Sequence, residues 1–191
     1  SLRQILIPKA LPSEEKEALT YLAMMNATDS VAATTSYNDF ITAYPENAEG
    51  YVARAKFYAA KQDFARCDAD FENALKQAGS EKSTMKADEV HNELSKVIFQ
   101  KAIYSPKAEY KDWTLAKALK EAEAAYALNN QGFYLLQQGR CLFADKQYKL
   151  AYEKFFLLAS QPAPNDGTEW SGKAKADNWF YAARSLELAG G

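Results

Sequence analysis

His91 is the only histidine in the chain, so a metal site built from several imidazoles cannot form within one copy, and a nucleophile–histidine pair would have to use that single ring. The reading that asks least of it is a surface or interface residue. Cys67 and Cys141 are the two cysteines. Each falls inside a helical pattern, where a thiol packs as a small apolar group. A disulfide between them would have to join segments well separated along the chain, and bridging needs Cα atoms within about 7 Å. The glycines are scattered, or terminal as at Gly190 and Gly191, and form no phosphate-binding loop. Carboxylates fall where solvated helix faces put them, Glu72 and Lys76 being an ordinary i,i+4 pair. Asn26-Ala27-Thr28 fits a glycosylation acceptor, a triplet common by chance. These residues point to a non-enzymatic protein with no catalytic residues, no metal ligands and no cofactor.

The composition fits that view. The formal net charge is -2 on a charged fraction of 25%, which argues against a whole-protein attraction to nucleic acid or to an anionic membrane. With 191 residues, 48% of them hydrophobic, the chain can bury a sizeable core. No apolar run approaches the roughly 20 residues that span a bilayer. The chain opens on Ser rather than Met, which points to residues removed upstream. With the Tyr- and Asn-rich make-up, it favours a periplasmic or cell-envelope setting over the cytoplasm.

The elements that would position any site are helical hairpins. From Tyr51 to Leu75 two amphipathic helices are expected, broken at Lys61, Gln62 and Asp63. Their packing residues are Tyr51, Ala55 and Tyr58, then Cys67, Phe71 and Ala74 at offsets of sixteen, twenty and twenty-three from Tyr51. Asn47 should cap the first helix, and the second should end near Gly79, a residue that can take the left-handed conformation of a helix C-cap. Upstream, Ser1 to Pro12 is a lead-in segment with Ile5, Leu6 and Ile7. Ser13 with Glu14, Glu15 and Glu17 starts a helix to about Asn26. A second helix carries Ala33, Tyr37, Phe40 and Ile41 and stops at Pro45. Tyr21, Met24, Ala33, Tyr37 and Phe40 repeat the offsets with Glu17 in the leading place.

Downstream, Lys86 to Tyr104 reads as a longer helix with Val90, Leu94, Val97, Ile98 and Ile103 as its stripe. After Pro106 and a charged connector, Trp113 to Leu128 is Ala-rich. Leu135, Gly139 and Leu142, then Ala151, Phe155 and Leu158, restore the Tyr51 offsets. Gln161 to Gly167 is a loop, and Trp170 is expected to fold back onto the helices. Trp179, Ala183 and Leu186 match the first half of a unit, whose second helix is expected to lie downstream in the native protein, to have been removed or to be unseen.

These hairpins resemble tetratricopeptide repeats, most closely through Tyr51, Ala55, Tyr58, Cys67, Phe71 and Ala74, and again through Leu135, Gly139, Leu142, Ala151 and Phe155. The resemblance implies an all-α, α-α superhelix: a solenoid of antiparallel hairpins with irregular repeats. After a lead-in of residues 1–13, a single repeat domain would span 14–191, with units at about 14–46, 47–80, 84–130 and 131–165 and a half unit at 175–191. Residues 80–130 match poorly. Family members expose the first helix of each unit on a concave groove, which the residue after the small packing position faces. Here those residues are Lys56, Arg140 and Arg184, a basic row able to hold a carboxylate or an acidic peptide. Gln137, Phe143 and Tyr181 would line the same surface. A plainer alternative is that these are solvated charges neutralised by acids such as Glu187. The resemblance implies a scaffold that binds a protein or peptide. A small-molecule or glycan-binding accessory module of a bacterial envelope, or an accessory region of a larger enzyme, are the alternatives.

Overall fold

A computed structural model describes residues 30–160 and 172–190, which form eight helices and no strand. In chain order they are α1 (Ser30–Ala43), α2 (Ala48–Ala60), α3 (Phe64–Gln77), α4 (Ala87–Tyr104), α5 (Leu115–Leu128), α6 (Gly132–Ala144), α7 (Tyr148–Ser160) and α8 (Gly172–Leu188). Helices adjacent in sequence pack on one another, and the chain divides into two compact units, Ser1–Lys86 and Ala87–Gly191. The helix expected from Ser13, with Tyr21 and Met24, the Asn26 acceptor, the loop from Gln161 and Trp170 all lie outside the described residues.

In the first unit, Tyr44 precedes Pro45, a position where the α conformation is disfavoured, and α1 stops at Ala43. Asn47 then caps α2, its Oδ1 accepting from the Glu49 amide at 3.1 Å. The same oxygen accepts from Thr84 Oγ1 at 3.1 Å, tying the segment after α3 back to the start of α2. Gly50 lets α1 close on α2, since a Cβ there would stand 2.5 Å from Phe40 Cδ1. Between α2 and α3, Gln62 takes a φ of 59°, and Asp63 caps α3 by accepting from the Arg66 amide at 3.2 Å. Ala55, Cys67, Phe71 and Ala74 are buried, as their offsets require. Beside them Arg54 grips buried Asp70 through Nε at 2.8 Å and Nη2 at 2.7 Å, and reaches Asn38 Oδ1 at 2.7 Å. That clamp ties α2 to both neighbours. Gly79 does not make the expected left-handed cap: α3 ends on Ala78 in the right-handed helical conformation.

The second unit contains α4 to α8. Leu135, Gly139 and Leu142 of α6 are buried, as are Ala151, Phe155 and Leu158 of α7. The hairpin turns at Asp145 to Gln147, where Lys146 has a φ of 61°. Gln62 and Lys146 both stand eleven residues after the leading position of their hairpin, so the left-handed residue that reverses the chain recurs with the register. Forty-four residues before Leu135, Gly139 and Leu142 stand His91, Ser95 and Ile98; forty-four after stand Trp179, Ala183 and Leu186. Ser95 and Ile98 are wholly buried, and Ser95 Oγ donates to the Ala118 carbonyl of α5 at 2.7 Å. A third hairpin, α4 with α5, therefore follows the same plan. Its covering residues Ala118, Ala122 and Ala125 come eleven positions later than the standard offsets, because α4 is longer and the connector Ser105 to Thr114 replaces a three-residue turn.

Gly139 sets the spacing of α6 and α7. A Cβ built on it would stand 2.5, 2.7 and 2.8 Å from three ring carbons of Phe155, a clash that only a shift of the helices or the ring can relieve. Gly139→Leu is expected to destabilise the protein by about 1–3 kcal/mol through overpacking. Chemical denaturation checks this, and a variant unfolding at the wild-type midpoint would contradict the close contact.

Candidate functional site

The basic row is built by the helix register. Five residues after each leading position stand Lys56, Lys96, Arg140 and Arg184. Lys96 is a member that the motif reading missed, because His91 and Ser95 disguise the repeat in α4. The forty-four-residue spacing was the signal that could have found it. Lys56 is exposed on α2 in the first unit, and the other three belong to the second. Within that unit α4 and α6 run parallel: Asp88 meets Tyr134 near their starts, and Ser95 meets Gln137 one to two turns on. Helix α8 runs antiparallel to α7, with Tyr181 stacked on Phe155 at 5.5 Å and Trp179 edge-on to Phe156 at 5.5 Å. Lys96, Arg140 and Arg184 thus occupy equivalent places on three parallel helices.

Their electrostatic settings differ. Lys96 Nζ pairs with Glu93 at 2.6 Å, one turn back on α4. Arg184 Nη1 pairs with Glu187 at 2.5 Å, one turn on along α8, the acid that the neutralised-charge alternative names. Arg140 has Gln137 and Phe143 at the corresponding places and makes no ion pair among the described residues. It is an exposed guanidinium with half-buried Leu136 and Phe143 one turn away on either side and exposed Phe133 beyond.

All three expected lining residues make contacts within the fold. Gln137 is buried, its Nε2 donating to Ser95 Oγ at 3.2 Å and lying 3.7 Å from Cys141 Sγ, so it belongs to the contact between α4 and α6 and not to an exposed surface. Tyr181 spends its ring on Phe155 while remaining partly exposed. Phe143 packs edge-on to Tyr148 at 5.4 Å and against the cluster of Leu142, Ala151, Phe155 and Ala182.

A polar seam runs through the helices beneath Arg140. Buried Asp88 accepts from Tyr134 Oη at 2.7 Å and from Asn129 Nδ2 at 2.8 Å. Burial alone would raise the Asp88 carboxyl, but these donors outweigh it and hold the group below the usual carboxylate range. The Tyr134 hydroxyl is raised by burial and by its bond to Asp88. Gln138 Nε2 donates to the Ala122 carbonyl at 3.3 Å. His91 Nδ1 lies 2.7 Å from Glu121 Oε2, and Lys117 Nζ lies 3.2 Å from Glu121 Oε1. Burial pushes the Glu121 carboxyl up, yet the His91 and Lys117 contacts win and hold it low. His91 is thereby a hairpin-interface residue joining α4 to α5. Burial pushes the Cys67 and Cys141 thiols up to about 12, so both stay protonated and poorly nucleophilic at neutral pH.

An open cleft of about 480 Å³ lies between the start of α7 and the end of α8, lined by Lys146, Tyr148, Lys149, Leu150 and Leu188 among others. No helix among the described residues is long and apolar enough to cross a membrane. No family model and no curated protein matches the chain.

The seam has a pH signature. A carboxyl lowered by folding contributes stability that is complete above its unfolded value, about 4, and is lost as pH falls through the folded value. Removing the Tyr134 donor brings the Asp88 carboxyl closer to its unfolded value. Tyr134→Phe should therefore cost about 1.5–3 kcal/mol at neutral pH, with the difference from wild type shrinking in acid. Melts from neutral pH to about pH 3 check this, and a pH-independent difference would contradict the role given to Asp88.

Proposed function

We propose that this protein is a non-enzymatic scaffold of tetratricopeptide-like hairpins that binds a protein or peptide on the surface formed by the first helices of the hairpins in its second unit. The observation that carries the reading is Arg140: a guanidinium exposed on α6, without an ion pair among the described residues and flanked by Leu136, Phe143 and Phe133. Such a group binds a carboxylate bidentately, and apolar neighbours supply contact area and lower the local dielectric. Lys96 and Arg184, each with an intrahelical acid, tune the field around it. Lys56 repeats the position in the first unit. The preferred ligand is a peptide with an acidic residue next to an aliphatic or aromatic one.

Selection from a displayed random-peptide library, run in parallel on the wild type and on Arg140→Glu, tests this. Wild type should enrich acidic–apolar sequences, and the variant should bind the winners at least about tenfold more weakly, since a charge reversal costs more than about 1.4 kcal/mol. Because Arg140 is exposed, the variant should melt as the wild type does. Enrichment of the same peptides by both proteins would contradict the proposal.

A further inference from the structure

Helix α4 has eighteen residues where α6 has thirteen, and nearly all of the surplus lies at its C-terminal end. In the forty-four-residue register Ala144, the last residue of α6, corresponds to Gln100, so Lys101 to Tyr104 form a further turn that α6 lacks. The connector behind it fastens that turn. The Ser105 amide donates to the Lys101 carbonyl at 2.9 Å, and Lys101 Nζ donates to the Trp113 carbonyl at 3.4 Å. Trp113 is itself buried, with the Tyr110 ring edge-on to it at 5.2 Å. Ile103 sits on this added turn. By type it belongs with Val90, Leu94, Val97 and Ile98, yet those four are buried and Ile103 is 38% exposed. Its place on the helix explains the difference: seven residues after Lys96, it stands two turns on along the same line of α4, with half-buried Phe99 one turn after Lys96. This is the face that carries the basic row, because Lys96 is the counterpart of Arg140. Along α4 it reads Glu89 and Glu93, then Lys96, then Phe99 and Ile103. On α6, which runs parallel to α4, half-buried Ala144 lies one turn beyond Arg140 and the helix stops there.

We infer that Ile103, with Phe99, is the specificity element of the surface around Arg140, taking an aliphatic or aromatic side chain of the bound peptide about three positions from the acidic residue that Arg140 holds. The inference rests on the peptide-binding reading of that surface and deepens it. Lys96 and Ile103 are seven residues apart, about 10 Å along the helix axis, and an extended peptide covers that distance in about three residues. An apolar side chain laid on Ile103 and Phe99 removes apolar area from water on both partners, a gain that an exposed charge pair does not supply. On α4 the opposite end of the line is acidic, so this helix offers the apolar contact on one side of the basic row only. The extra turn of α4 thereby gives the surface a direction: the acid of the peptide lies over the basic row, and its apolar residue lies toward the C-terminal end of α4.

A displayed random-peptide library selected in parallel on the full wild-type chain, on Arg140→Glu and on Ile103→Lys is the test. Wild-type winners should carry an aliphatic or aromatic residue about three positions from their acidic residue. Ile103→Lys places a cation in the last turn of a helix at an exposed position, so it should melt as the wild type does. It should bind the wild-type winners at least about tenfold more weakly. Its own winners should carry a second acidic residue in the apolar place, a switch of preference that a loss of folding could not produce. Winners that need Arg140 yet bind Ile103→Lys as tightly as the wild type would overturn the inference and leave the peptide-binding reading standing. Winners indifferent to Arg140→Glu, or no enrichment on the wild type, would overturn both.

Discussion

Two helices share a hairpin only when their axes come close enough for side chains to interlock, and the smallest residue at the crossing sets that distance. In the α6 and α7 hairpin the limit is reached at Gly139, where the Phe155 ring lies so near the backbone that even a methyl group has no room. Ala55 holds the corresponding place in α2, buried against the helix that carries Phe71. The rest of the register follows from these contacts. Once the small residue and the ring are opposed, the positions four before and three after must be large, and the residue immediately after must turn outward. That is why Arg140 is exposed while Gly139 is enclosed.

The α4 and α5 hairpin shows what happens when the knob is removed. Ala122 stands where Phe71 and Phe155 stand elsewhere, so a small residue faces a small residue and the helices meet through polar atoms. Ser95 reaches a backbone carbonyl across the interface, and Gln137 and Gln138 fill space from α6. Asp88, Tyr134 and Asn129 close one end of the seam, and His91 with Glu121 and Lys117 edges its solvent side. Such networks are demanding. Asn92 Oδ1 and Gln138 Oε1 are buried without a donor, and each unmet acceptor costs free energy that a dry aromatic contact would not. The bonds that are made still tie α4 to α5 and both to α6.

How much of this could be read from the residues depended on whether the packing positions carried aromatics. Tyr51 to Ala74 and Leu135 to Leu158 announce their helices, breaks and buried faces, because large apolar side chains recur at helical offsets chiefly where one face of a helix must leave water. His91, Ser95 and Ile98 occupy the same places but rely on hydrogen bonds to pack, and polar residues do not register as periodicity. The eleven-residue extension then hid the match to Ala118, Ala122 and Ala125. Gln137 looked like a surface residue for the same reason: an amide buried by its bond to Ser95 cannot be told from a solvated one by type alone. Gly79 is free to turn left, but the chain leaves α3 without needing that freedom. In the two complete hairpins the left-handed positions fall to Gln62 and Lys146, where the tightness of the turn outweighs residue preference.

The ring of Phe155 and the bare backbone of Gly139 form the contact on which the hairpin is built. A double-mutant cycle of Gly139→Ala and Phe155→Leu, followed by denaturant unfolding, measures it most directly. If the ring is what a new Cβ strikes, adding the methyl should cost much less once the ring has been replaced, with a coupling of about 0.5–3 kcal/mol between the sites. Effects that add to within about 0.3–0.5 kcal/mol would mean that the two residues do not meet. The register and the exposure of Arg140 would then have no common cause.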